Sequence, residues 1–258
     1  MRIKVKWMGC ASIIIEADGV NLLAVDPFSP IVNPPRNIEL EEHQSLQAIF
    51  ATHGHFDHIS GIHGLLASSQ AVCYATKAAA KSIKRQFANT DRVREIRPGE
   101  IIDLGFATAL PYRSPHAKFP LSLGVQTLAR AVREKRLKEA FAITRKHLSF
   151  PERGEAVAYE FAIGGKRIDV LGSLPKKANN AIRPGADLLV LAYQGYSDNL
   201  SPAMALVKQA MPKKVMLSHF DDAFPPISRC VGTKAAIEAI SALGIGAIAP
   251  KHGEGVYA

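Results

Sequence analysis

Short apolar runs alternate along the chain with stretches of helical spacing. Leu46 to Ala51 and Leu188 to Ala192 have the length and composition of strands buried on both faces. Ala71 to Ala75, Phe106 to Tyr112, Val215 to Leu217 and Ile245 to Ile248 read in the same way. Val157 to Ile163 and Arg167 to Leu171 flank Gly164-Gly165, a turn pair that predicts a two-strand hairpin. Helices are predicted over Ile59 to Ser68, from a Thr76 cap to Phe87, over Pro202 to Ala210 and over Thr233 to Ala242. Gly124 to Phe141, with Val125, Leu128, Val132, Leu137, Ala140 and Phe141 as its apolar positions, predicts one loosely amphipathic helix with a basic outer face. Asn33-Pro34-Pro35 marks an extended loop. Periodicity alone gives a mixed α and β chain, and no repeat of roughly 20–50 residues is present.

One segment carries chemistry. Directly after the Leu46 to Ala51 strand comes Thr52-His53-Gly54-His55-Phe56-Asp57-His58, three imidazoles and a carboxylate within six residues of a chain that has nine histidines. In extended backbone, residues at i and i+2 point the same way, so His53 and His55 can converge on one ion. Asp57 and His58 are adjacent and project differently, which suits a second ion, or a ligand beside a proton-handling neighbour. The bland alternative is a polar loop, and the density of histidines argues against it.

Composition narrows the picture. At 258 residues and 47% hydrophobic, the chain can bury a large core as one domain. The N-terminus lacks a signal-peptide pattern, and the apolar stretch Leu188 to Tyr193 is far below the roughly 20 residues of a membrane span. Cys10, Cys73 and Cys230 are odd in number and scattered, which fits a reducing cytoplasm and argues against disulfides and against a thiolate zinc site. The net charge of +9 is concentrated in two segments. Residues 77–97 and 130–147 each hold seven Lys/Arg against two Asp/Glu, and the rest of the chain sums to −1. Such segments are either solvated helix faces or a field that draws an anionic partner. Aromatics are not interleaved with the charges as in a single-strand stacking platform, so nucleic acid is open but not favoured.

The histidine segment resembles the signature of metallo-β-lactamase-fold hydrolases. Trp7-Met8-Gly9-Cys10-Ala11-Ser12, the Ala17-Asp18-Gly19 turn, Leu23-Ala24-Val25-Asp26-Pro27, Ser114-Pro115-His116, Val170-Leu171-Gly172-Ser173, Leu217-Ser218-His219 and Ala249-Pro250-Lys251-His252-Gly253-Glu254 follow the family's order. The branch it resembles contains ascorbate phosphate lactonase-like and N-acyl-phosphatidylethanolamine phospholipase D-like hydrolases. The resemblance implies a four-layer αββα sandwich spanning residues 1–258, with an insert at about 117–153. It also implies that His53, His55 and His116 hold one ion while Asp57, His58 and His219 hold a second. Asp26 is expected either behind the ligands as a hydrogen-bond acceptor or in a simple turn with Pro27. Many relatives have a bridging aspartate where this chain has Ser173, so the second site is expected to be weaker or filled differently. Asp221 and Asp222, next to His219, could supply the missing carboxylate or simply cap the next turn. His43, His63 and His147 receive no role, and His252 is at most a rim residue.

These residues together describe a metal-dependent hydrolase with one or two ions, zinc or else manganese or iron. Metal-bound hydroxide would act on an anionic small-molecule ester, lactone or phosphodiester, with Asp57 orienting or deprotonating the water. A phosphodiesterase on RNA or phospholipid and a non-catalytic metal-binding scaffold are the alternatives. A di-iron oxidoreductase is disfavoured, because its motif would carry glutamate where His55 stands. The insert is read as a lid over the cleft or a homo-oligomer surface.

Overall fold

In the computed structural model, which describes residues 1–29, 43–86, 91–117, 121–150, 153–176 and 181–258, the chain builds two sheets with helices outside them. The first half gives β1 (Ile3–Trp7), β2 (Ile13–Ala17), β3 (Val20–Val25), β4 (Ala48–Ala51), α1 (Phe56–Ile59), α2 (Ile62–Ser68), β5 (Val72–Ala75), α3 (Lys77–Gln86) and β6 (Val93–Glu95). The second half gives β7 (Ile102–Asp103), β8 (Ala107–Arg113), α4 (Leu121–Arg133), α5 (Leu137–Ser149), β9 (Val157–Ile163), β10 (Lys166–Leu171) and β11 (Leu188–Ala192). It continues through α6 (Leu200–Ala210), β12 (Lys214–Ser218), α7 (Lys234–Ser241), β13 (Gly246–Ile248) and β14 (Gly255–Tyr257). The Asn33-Pro34-Pro35 loop lies outside the described residues.

The sheets run β14-β1-β2-β3-β4-β5-β6 and β13-β12-β11-β10-β9-β8-β7. β4 pairs parallel with both β3 and β5, and every residue of its Ala-Ile-Phe-Ala run is buried. Alternation divides that run between two cores. Ala48 and Phe50 face the opposite sheet, while Ile49 and Ala51 face Phe56, Ile59, Leu65, Leu66 and Ile83. β11 does the same on its side, with Leu188 and Val190 inward and Leu189 and Leu191 packed with Leu206, Val207 and Ile240. Between the sheets, the Phe50 ring meets Tyr159 and Phe161 edge-on at centroid distances of 5.1 and 5.0 Å. Helix, sheet, sheet, helix is the expected αββα order.

The Gly124 to Phe141 segment departs from expectation. Gly124 to Phe141 is two helices, α4 and α5, because α4 ends in a Schellman motif. Lys135 takes a left-handed backbone (φ 56), its N–H reaches Val132 O at 3.1 Å, and the Arg136 N–H reaches Ala131 O at 2.8 Å. Glycine usually marks such a stop, so lysine hid it. Val125, Leu128 and Val132 on α4 and Leu137, Phe141 and Leu148 on α5 form an exposed apolar stripe along the hairpin. No helix among the described residues is long and apolar enough to cross a membrane.

Candidate metal centre

The site lies where strands of both sheets end. β4 stops at Ala51, the chain bends through Thr52 to Gly54, His55 is extended (φ −66, ψ 149), and α1 starts at Phe56. This geometry places His53 Nε2 3.1 Å from His55 Nδ1. His116, shortly after β8, closes the group, its ring lying 4.5 Å from His53 and 4.6 Å from His55, both edge-on. One nitrogen from each of the three rings falls within 4.8 Å of the others. Two imidazole nitrogens on one tetrahedral ion at ~2.0–2.1 Å would stand roughly 3.3 Å apart, close to this arrangement.

Behind the histidines, Asp26 sets their protonation. It follows β3 in a left-handed conformation (φ 49) and is fully buried. Its Oδ1 accepts the Thr52 N–H at 2.7 Å, and its Oδ2 accepts the Thr52 hydroxyl at 2.6 Å and His58 Nδ1–H at 2.8 Å. Since Thr52 gives its single hydroxyl proton to Asp26, its 3.0 Å contact with His53 Nδ1 must be donated by the imidazole. His53 is thereby fixed with Nε2 carrying the lone pair, as a ligand requires, while His58 turns Nδ1 to Asp26 and Nε2 toward Asp57. Gly172, from the end of β10, packs on this arrangement so closely that a Cβ would overlap Thr52 Oγ1 and Asp26 Oδ2.

Burial, reinforced by the neighbouring imidazoles, pushes His53 well below the usual histidine range. Burial also lowers His55 to about 3, against an opposing pull from Asp57. Both are therefore neutral at physiological pH. For Asp57, burial favours the neutral acid, but His58, His219 and His55 outweigh it and hold the carboxyl well below its usual range. His58 is raised despite burial by Asp26 and Asp57.

The second half of the site forms around Asp57. His58 Nε2 lies 3.6 Å and His219 Nε2 3.3 Å from Asp57 Oδ2. The other carboxylate oxygen, Oδ1, is buried without a hydrogen-bond partner among the described residues. A buried orphan acceptor on a carboxylate flanked by two imidazoles fits a divalent cation, which would satisfy it. His219 follows β12 with a left-handed backbone (φ 55), and its N–H donates to Cys10 O at 2.7 Å.

Several expected residues are used otherwise. Asp221 accepts the Cys10 N–H at 3.0 and 3.1 Å and is outside every group of converging ligand atoms. Asp222 pairs with Arg130 of α4 at 2.6 Å and accepts the Ser228 hydroxyl at 2.7 Å. Ser173 Oγ accepts the Ala117 N–H at 2.9 Å, anchoring the loop that carries His116. Two further residues lie beside these groups without a role expected from the sequence. Cys10 Sγ lies 3.6 Å from His219 Nε2 and 4.0 Å from Asp57 Oδ2, beside a centre where no thiol is expected. His147, on α5, sets its ring 4.3 Å from that of His55 in a tilted contact, and its ligand atom groups with those of His55 and Asp57.

The chain belongs to the family described as the beta-lactamase superfamily domain, whose profile matches residues 19–220. It is 33% identical over 73 residues to a protein named UPF0173 metal-dependent hydrolase from Myxococcus xanthus strain DK1622; the match spans 28% of this chain and 25% of that relative. Among solved structures it is similar to Igni18, a metallo hydrolase from Ignicoccus hospitalis, with TM-score 0.66 and 16% identity, covering 100% and 99% of the two chains. It is also similar to YhfI, a metallo-beta-lactamase fold protein from Bacillus subtilis, with TM-score 0.65, 15% identity and full coverage of both chains. A third likeness is to CmlA, a diiron beta-hydroxylase from Streptomyces venezuelae, at TM-score 0.66 and 12% identity, covering 99% of this chain and 54% of that one.

Proposed function

We propose that the protein is a metal-dependent hydrolase acting on a small anionic ester, lactone or phosphodiester. His53, His55 and His116 would hold one ion, with Asp57, His58 and His219 around a second position. The observation that carries this reading is the convergence of His53, His55 and His116, with burial keeping His53 and His55 neutral and Thr52 fixing the tautomer of His53. An ion bound there supplies Lewis acidity and makes water a better nucleophile near neutral pH; zinc suits the donors, with manganese or iron as alternatives. Asp57 stays ionised and accepts, so its part is to orient a water proton. Asp26 and Thr52 keep the imidazoles aimed. The cysteines Cys10, Cys73 and Cys230 are free, which suits the cytoplasm as location.

Purified protein should contain metal and hydrolyse a generic lactone or phosphodiester. Activity should vanish on chelation and return with zinc or manganese. Equal rates for chelated and reloaded protein would overturn the reading.

The insert is read as one wall of the cleft. His147 touches His55, Arg130 binds Asp222, and Arg229 donates to Gln126 of α4 at 3.0 Å, so three contacts tie the hairpin to the site. The apolar stripe along the same hairpin suits self-association. Arg133 and Lys135 are exposed, whereas Arg136 pairs with Glu139. Neutralising Arg133, Lys135 and Arg136 together is expected to raise KM for an anionic substrate several-fold with metal content unchanged, and the effect should shrink with added salt. Unchanged kinetics at low salt would leave the insert only a structural role.

A further inference from the structure

We propose that Cys10 is a metal ligand, completing with Asp57 and His219 the second cation position of the centre and supplying the anionic donor that Ser173 does not. This rests on the metal-centre reading above and adds a residue to it.

The three donor atoms make a triangle. His219 Nε2 to Asp57 Oδ2 is 3.3 Å, Cys10 Sγ to His219 Nε2 is 3.6 Å, and Cys10 Sγ to Asp57 Oδ2 is 4.0 Å. A tetrahedral ion at ~2.3 Å from sulfur and ~2.0–2.1 Å from nitrogen and oxygen would set these edges at roughly 3.3, 3.6 and 3.6 Å. Only the sulfur–carboxylate edge is long, and a small side-chain rotation closes it. Asp57 adds an independent sign, because its Oδ1 is buried without a hydrogen-bond partner among the described residues.

The backbone holds the sulfur in place. Cys10 has φ 50, its N–H goes to Asp221, and its carbonyl accepts both the His219 N–H and the Trp7 indole N–H, each at 2.7 Å. Trp7 stacks on Phe220 at 4.6 Å, locking the same two loops together. Asp221 thus acts on the centre through Cys10, as a positioning residue. A buried cysteine is more often a small apolar filler. Cys73 is that case: fully buried on β5 in the apolar core, it belongs to none of the converging ligand groups. Cys10 instead faces a carboxylate and an imidazole.

On binding, the thiol gives its proton to solvent and its sulfur forms a bond to the divalent cation; no oxidation is involved. A sulfur, nitrogen and oxygen donor set favours zinc over manganese or magnesium at this position.

Cobalt(II) titration of chelator-stripped full-length protein tests the assignment. Wild-type protein should develop a near-ultraviolet sulfur-to-cobalt charge-transfer band as the second equivalent binds. Cys10→Ser should lose that band and bind the second ion about tenfold or more weakly, keeping the visible bands of the first. Cys73→Ser should behave as wild type. Two bound equivalents without a charge-transfer band in the wild type would overturn the proposal and leave the hydrolase reading intact, as would a band that survives in Cys10→Ser. Failure to bind any cobalt would instead remove the metal-centre reading and this proposal with it.

Discussion

Replacing His55 with alanine is expected to abolish metal retention and turnover together. His55 is central to the cluster: its ring contacts those of His53, His116 and His147, and its Nδ1 approaches His53 Nε2 at 3.1 Å. Two imidazoles would be left at the first position, too few for a tetrahedral catalytic ion that takes three protein ligands. The scaffold should survive, because the side chain is only half-buried and caps no backbone group of α1. The melting temperature of the metal-free variant should therefore stay close to that of metal-free wild type. Metal content by mass spectrometry, read beside that melting curve, checks the assignment. Stoichiometric metal at unchanged affinity in His55→Ala would remove His55 from the centre.

The second large effect concerns stability, away from the metal. Asp169 on β10 is 1% exposed, and neither carboxylate oxygen has a hydrogen-bond partner among the described residues. Burial, then repulsion from Glu160, pushes its pKa up to about 7, with Arg167 and Arg183 pulling partly back. The folded state thus binds this proton more tightly than the unfolded chain, whose value is near 3.8. Stability from this group is greatest in acid, falls as pH rises from about 4 to 7, and is flat above. A shift of this size corresponds to at most on the order of 4 kcal/mol. Asp169→Asn cannot ionise, so it should match wild type near pH 4.5 and melt several degrees higher at pH 8. Melting curves that stay parallel at both pH values would mean that Asp169 is already ionised at no cost.

What the sequence discloses depends on how local each cause is. His53, His55, Asp57 and His58 are legible because one strand exit and one helical turn place them all. His116 and His219 lie far away in sequence and emerged only through resemblance. Cys10 was unreadable: its place follows from hydrogen bonds between two loops some 200 residues apart, His219 N–H to Cys10 O and Cys10 N–H to Asp221. Asp221 is next to His219 in sequence, but the left-handed backbone at His219 turns the chain, and Asp221 accepts the Cys10 N–H instead. His147 was missed because the stop at Lys135, made without glycine, turned one expected helix into a hairpin that folds back on the site. The long apolar strands β4 and β11 announce themselves. The edge strands β6 and β14, three residues each, do not, since their pairing is supplied by the neighbouring strand more than by their own pattern.

Gly172 belongs to the second sheet, while Asp26 and Thr52 belong to the first, and the three touch with no room for one more carbon. The distance between the sheets is therefore a chemical variable. If the layers part at this edge, Asp26 can release Thr52 and His58 at once, and His53 loses the contact that fixes its tautomer. Mechanical closure of the sandwich would then be linked to the readiness of the histidines to bind an ion. A cavity opened in the Phe50–Tyr159–Phe161 packing would then be felt as weakened metal affinity, with every ligand still in the sequence.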